Sequence, residues 1–213
     1  MLAMTQFKLL WTFLFCVAMA YLESAVVVYL RMLYYPQGFD FPLVAASTPV
    51  ILIELGREAA TIVMLATFGL LFGRSRIERF AGFMLAFGLW DIFYYVWLKI
   101  FIGWPESLLT WDLLFLIPAP WVGPVLAPVL VSLALIGAGM WIVIREDQGR
   151  PIRVPAWIWT AEIAAGVIII VSFLWDVRHI IAGGLPHPFR WDIFLAGLLG
   201  GAGLFAWWVV KKG

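Results

Sequence analysis

Apolar residues run along this chain in long blocks, separated by short clusters of charge, glycine and proline. A block of about 20 apolar residues is long enough to cross a bilayer as a helix. We read six of them, at about 9–31, 44–72, 79–102, 124–144, 156–182 and 191–210. The pattern predicts an all-α integral membrane protein, a six-helix transmembrane bundle forming a single domain over 1–213. The first block resembles a secretory leader, with Lys8 ahead of it and Ala18-Met19-Ala20 within it. Its apolar run continues to Leu30, too long for a leader core, so it is expected to remain as a helix.

The fourth block is irregular. Trp111 to Ile144 is too long for one straight crossing, and Pro118, Pro120, Pro124 and Pro128 interrupt its first half. A proline in helical geometry frees the carbonyl four residues back. A short helix at the outer surface over about 111–117 is therefore expected, with the crossing beginning near Pro124.

Composition agrees with a lipid environment. The chain of 213 residues is 64% hydrophobic and 13% charged, with 13 Trp and 17 Phe, and its mean hydropathy is +1.00. A soluble domain is nearer half apolar and a quarter charged, and one of this size has too little interior to hide so much apolar surface. Cys16 is the single cysteine, so there is neither an internal disulfide nor a thiolate cage. There is no Asn, hence no N-glycosylation acceptor. The net charge of +1, without a long basic run, excludes nucleic acid as a partner. No phosphate-binding loop is present, and the loops are too short for a nucleotide domain. The expected partners are the lipid bilayer and other membrane proteins.

Lysine and arginine set the orientation. One side holds Lys8, Arg74, Arg76, Arg79, Arg145, Arg150, Arg153, Lys211 and Lys212; the other holds Arg31, Lys99, Arg178 and Arg190. The excess predicts both termini in the cytoplasm of a bacterial inner (plasma) membrane.

Trp-Asp pairs recur at Trp90-Asp91, Trp111-Asp112, Trp175-Asp176 and Trp191-Asp192. In order, they read as two copies of an outward-facing helical hairpin, with Tyr21-Leu22-Glu23 in the matching place of a third. Such internal repeats bear on architecture alone.

Ionisable groups inside a membrane span are costly and mark candidate sites. Glu23 lies about 12 Å in from Arg31 along a helix. Glu54, Glu58, Asp91, Asp176 and His179 fall in the same outward half of their spans, and Glu162 alone in the inner half. Helical spacing places Glu54, Glu58, Thr61 and Leu65 on one face, and Glu162, Ser172, Asp176 and His179 on another. Gly197 and Gly201 form a small-residue pair that permits close helix approach.

Two chemistries compete for these residues. Carboxylates from several helices with an acid-x-x-His pair, Asp176 and His179, resemble in arrangement the di-iron and di-manganese bundles. Tyr94 stands where a second imidazole would be, one turn from Asp91. This predicts a divalent metal, iron or manganese, held by Glu23, Glu54, Glu58, Asp91, Asp176 and His179, with Tyr94 as a catalytic relay. The alternative is a structural network in which Arg31, Arg57, Lys99, Arg178 and Arg190 neutralise the acids, with Glu54, Arg57 and Glu58 clustered on one helix.

Other chemistries are set aside. Bis-histidine haem and histidine-rich oxygenase sites need more than His179 and His187. There is neither a His-Glu-x-x-His nor a Gly-x-Ser-x-Gly motif. Ser172 and His179 lie about 10 Å apart along a helix, too far for a nucleophile and its base. Three functions follow: a metal-binding membrane enzyme acting on a lipid-phase or periplasmic small molecule, a proton- or cation-coupled transporter, and a non-catalytic subunit with a salt-bridged core. The near absence of acids on the inner side weighs against the transporter.

Overall fold

The computed structural model describes residues 2–212, with side chains from 5 to 211, so the Lys212 side chain of the charge count lies outside the described ones. Among the described residues, seven helices and two short strands follow one another: α1 (Leu2–Tyr34), α2 (Thr48–Phe72), α3 (Arg76–Ile102), β1 (Trp111–Phe115), β2 (Trp121–Pro124), α4 (Leu126–Asp147), α5 (Ala156–Leu174), α6 (Val177–Ile181) and α7 (Trp191–Lys212). Among the described residues, five helical stretches are long and apolar enough to cross a membrane: Thr5–Tyr34, Arg76–Ile102, Leu126–Asp147, Ala156–Ile181 and Trp191–Lys211. The remaining expected crossing, α2, forms a helix of 25 residues carrying Glu54, Arg57 and Glu58. Large apolar side chains on the helix exteriors face outward, among them Leu22, Leu33, Leu71 and Val210. This is the signature of a chain solvated by lipid, which needs no hydrophobic burial against itself.

Local signals explain the helix ends. The Ser75 side chain accepts from the Glu78 N–H at the start of α3, as an N-cap serine does. Gly103 closes α3 with φ +70, its N–H bonded to the Lys99 carbonyl, a left-handed cap that glycine adopts without strain. Pro128 sits in the first turn of α4, where a missing N–H breaks no helical bond.

The segment ahead of α4 corrects the expectation of a short helix at 111–117. Trp111–Phe115 is a strand, antiparallel to Trp121–Pro124, with Trp111 opposite Pro124, Asp112 opposite Gly123 and Leu113 opposite Val122. Pro118 and Pro120 cannot donate to a helix, whereas the turn between two strands asks nothing of their nitrogens. The α5 crossing also differs from the continuous 156–182 helix expected: it stops at Leu174 and resumes as α6 after Asp176.

α3 is the hub, packed against α1, α2 and α4. Close approach to α4 depends on glycine. A Cβ at Gly88 would lie 2.7 Å from the Ser132 carbonyl oxygen, and one at Gly139 would lie 2.9 Å from Leu85. α5 packs chiefly on α7, with sparse contact between α7 and α4. The bundle thus has a four-helix body and a two-helix flank. The β-hairpin lies at the end where α1 and α3 finish and α2 and α4 begin. At the other end Lys8 pairs with Glu78 at 2.6 Å and Ser75 donates to Glu146 at 3.0 Å.

Candidate functional site

Between body and flank, beneath the hairpin, is a cavity of about 1010 Å³. α1, α2 and α3 line one side of it, α5 and α6 the other, and the 111–121 segment closes the hairpin end. Its deeper walls are apolar, with Phe83, Phe87, Leu135, Ile170 and Phe173 among them. Its polar wall comes from α1, α2, α3 and β1 and carries Glu23, Arg31, Glu54, Arg57, Glu58, Asp91, Tyr94 and Asp112.

Helix spacing builds that wall. Glu54, Glu58, Thr61 and Leu65 form the buried face of α2. Arg57 is the centre of one network. Its Nε donates to Glu54 at 2.8 Å, and a second guanidinium nitrogen pairs with Glu23 of α1. Glu23 also accepts from the Thr61 hydroxyl at 3.0 Å. The helix-internal Glu54–Arg57 pair is as expected, but Glu58 turns elsewhere. Its two oxygens accept the Leu116 N–H at 3.0 and 2.9 Å, so α2 holds the hairpin through a backbone donor.

A second network ties the hairpin to α1 and α3. Arg31 Nη2 donates to Asp112 at 3.0 Å, and the Tyr95 hydroxyl donates to the other Asp112 oxygen at 3.2 Å. Arg31 and Asp112 are 8% and 1% exposed, so the pair is shielded from solvent competition. The guanidinium carbon lies 3.6 Å from the Trp104 ring centroid and 4.6 Å from that of Phe39, where the ring faces add cation–π attraction. Burial pushes the Asp112 carboxyl up to about 6, against the pull of Arg31, the Tyr95 hydroxyl and the Leu113 N–H. Midway along α3, Asp91 accepts the Ser132 hydroxyl of α4 at 2.7 Å.

Of the residues expected to hold a metal, Glu23, Glu54, Glu58 and Asp91 share this cavity, and Tyr94 lines it beside them. Asp176 and His179 do not. Asp176 accepts the His187 backbone N–H at 2.8 Å and faces its Nδ1 at 2.9 Å, and the His179 and His187 rings meet at a tilt with centroids 4.3 Å apart. The orientation of α5 explains their placement. Gly166, Ile170 and Phe173 turn toward the cavity, whereas Glu162 turns toward α7 and Ser172 and Asp176 line a separate small pocket with His187, so the face shared with Glu162 does not meet the polar wall. Among the described residues, no three His, Cys, Asp or Glu side chains are grouped so as to hold a metal ion. Glu162 lies toward α7, near Gly201, and outside the cavity lining.

Arg31 and Asp112 line the wall beyond the expected set, and Ser132, Thr61 and the Leu116 N–H donate to its carboxylates. The first two were legible as opposite charges at one depth. The Leu116 donor carried no sequence signal, because any residue there supplies the same N–H. The chain matches no family model, and no curated protein or solved structure is similar to it.

Proposed function

We propose that this membrane protein binds a small molecule with an apolar body, drawn from the lipid phase into the cavity beneath the hairpin. The observation that carries the reading is the cavity's division: apolar deep walls and one ordered polar wall. Ligand pockets for drug-sized molecules run to about 1,000 Å³ and combine mostly apolar lining with a few placed polar groups. α2 and α5 stand on opposite sides of the cavity, and each packs chiefly on a different neighbour, α3 and α7. A route between them would admit a molecule sideways from the bilayer. In the same reading α2 crosses the membrane as a sixth span, both termini are cytoplasmic, and the hairpin faces the periplasm.

Gly166 provides the test. It lines the cavity from α5, and a Cβ added there meets nothing within 4 Å. Gly166→Leu should fill cavity space while improving helix propensity. In proteoliposomes carrying a photoactivatable diazirine alkane, wild type should be labelled on Phe87, Ile170 or Phe173, and Gly166→Leu should lose most of that labelling with an unchanged Tm. Equal labelling of the two proteins at these positions would overturn the reading.

A second reading keeps iron or manganese at Glu23, Glu54, Glu58 and Asp91, favoured by their presence on one cavity wall. Each of those carboxylates already has a protein partner, and the expected imidazole is elsewhere, so it ranks below ligand binding. Elemental analysis of the purified protein beside Glu58→Gln/Asp91→Asn tests it: a stoichiometric metal lost in the variant would put it first.

A further inference from the structure

The polar wall carries more acid than base. Glu23, Glu54, Glu58, Asp91 and Asp112 are set against two guanidinium groups, those of Arg31 and Arg57. Asp112 takes Arg31, and Glu23 and Glu54 share Arg57. Glu58 and Asp91 have neutral donors, the Leu116 N–H and the Ser132 hydroxyl, which satisfy oxygens without cancelling charge. Two carboxylate oxygens are also left open. Both Arg57 bonds to Glu54 end on Oε2, and the Ser132 bond to Asp91 ends on Oδ2. Among the described residues nothing donates to Glu54 Oε1 or Asp91 Oδ1, and neither atom is closed off from the cavity that both residues line. Glu162 is the contrast: its idle Oε1 is sealed, and it lies outside the lining.

Aromatic rings stand beside these acids. Phe87, Tyr94 and Phe115 line the cavity around Trp90, with ring centroids 5.6, 6.4 and 6.4 Å from its own. Ring faces and carboxylates attract the same kind of ligand, an organic cation. A metal ion is a poorer fit. It needs several oxygens within about 2.5 Å of one point, and among the described residues the acids are not so grouped. An ammonium head is larger and asks for one or two acceptors for its N–H groups. An anionic head meets repulsion from the surplus of acid, and a neutral head leaves that surplus unanswered. Resting on the ligand-binding reading above, we propose that the cavity takes a protonated amine on an apolar body. Asp91 Oδ1 and Glu54 Oε1 are the acceptors open to its N–H groups, and its body lies against Ile170 and Phe173 on the α5 side. A phosphate beside the amine would restore the repulsion, so the ligand is a free amphiphilic amine and not a zwitterionic aminolipid.

Probes that share one tail test the head: decylamine (protonated at neutral pH), decanol and decyl phosphate, titrated against the purified protein in a non-ionic detergent. Binding is counted only where Gly166→Leu abolishes it, which removes partition into micelles. Decylammonium should bind about tenfold tighter than either other probe, or better. Asp91→Asn and Glu54→Gln should each cut that preference about tenfold, the scale of one charge-assisted hydrogen bond, while leaving decanol binding as it was. A merely structural role for either acid would move every probe together. Glu162→Gln removes a carboxylate outside the cavity and should bind as wild type. Tm is recorded for each variant, and if one fails to fold the other decides. If decanol or decyl phosphate binds as tightly as decylammonium and is lost in Gly166→Leu, the cavity reading stands and the amine assignment falls. A preference unchanged in both Asp91→Asn and Glu54→Gln also overturns the assignment. So does the absence of Gly166-sensitive binding for every probe while diazirine labelling of the cavity persists. If that labelling misses the cavity as well, the ligand-binding reading itself fails.

Discussion

Trp90-Asp91 and Trp175-Asp176 are the same dipeptide, and each is followed by a second Trp-Asp that opens the next segment, yet the two regions treat them in opposite ways. In the body of the bundle, Asp91 is buried on Ser132 and Asp112 on Arg31. In the flank, Asp176 lies against a histidine that is largely exposed, and Asp192 is itself exposed beside Arg190. The connections differ as well: a β-hairpin joins α3 to α4, whereas a helical turn and a loop join α5 to α7. An aspartate acquires a structural role only where a neighbouring element supplies a donor at its depth. α3 has neighbours on three sides, and α5 has one principal neighbour.

This contrast can be broken by substitution. The largest effect is expected at Arg57. Arg57→Ala leaves Glu23 and Glu54 facing one another in a poorly solvated wall, and losing one partner of a buried pair costs about 3–5 kcal/mol. Thermal unfolding in detergent should show a large fall in Tm, and adding Glu23→Gln with Glu54→Gln should recover much of it. Next comes Asp112→Leu, which strands the Arg31 guanidinium between Trp104 and Phe39. A loss of about 3 kcal/mol is expected, and a change within experimental error would show that the ring faces alone suffice. Glu58→Gln weakens the acceptor of the Leu116 N–H, which should cost about 1 kcal/mol and speed amide exchange at Leu116 while leaving α4 protected. At the small end, Asp176→Asn and Asp192→Asn should leave Tm where it was. A fall in Tm for either flank variant as large as that for Asp112→Leu would erase the distinction between the regions.

The helices could be read in the sequence because lipid-facing segments must be long and apolar over their whole length. The inward face of α2 was legible for a related reason: Glu54, Glu58, Thr61 and Leu65 recur at helical spacing, and polar groups avoid lipid. Extrapolation failed where the wrong face was taken as inward. The face of Glu162 and Asp176 turns toward α7 and His187, and α5 lines the cavity with Gly166, Ile170 and Phe173 instead. The hairpin was hidden for another reason. Its prolines announce that a helix is interrupted but not what replaces it, and the shared depth of Arg31 and Asp112 does not by itself single out a pair 81 residues apart. Ser132 carries no sequence motif, yet its hydroxyl is the donor to Asp91.

The division into body and flank also orders assembly. Both charge networks, from Glu23 to Ser132, are encoded before α4 ends at Asp147, whereas the α5 side of the cavity, Gly166 to Phe173, follows. Chains fold from the N-terminal end as they are synthesised. A ribosome that has delivered α4 into the membrane has therefore released every residue needed to neutralise the wall, while the far side of the cavity is still unmade. Charge is settled early, at the stage when an uncompensated carboxylate would most hinder insertion, and the chamber closes only with the last two long helices.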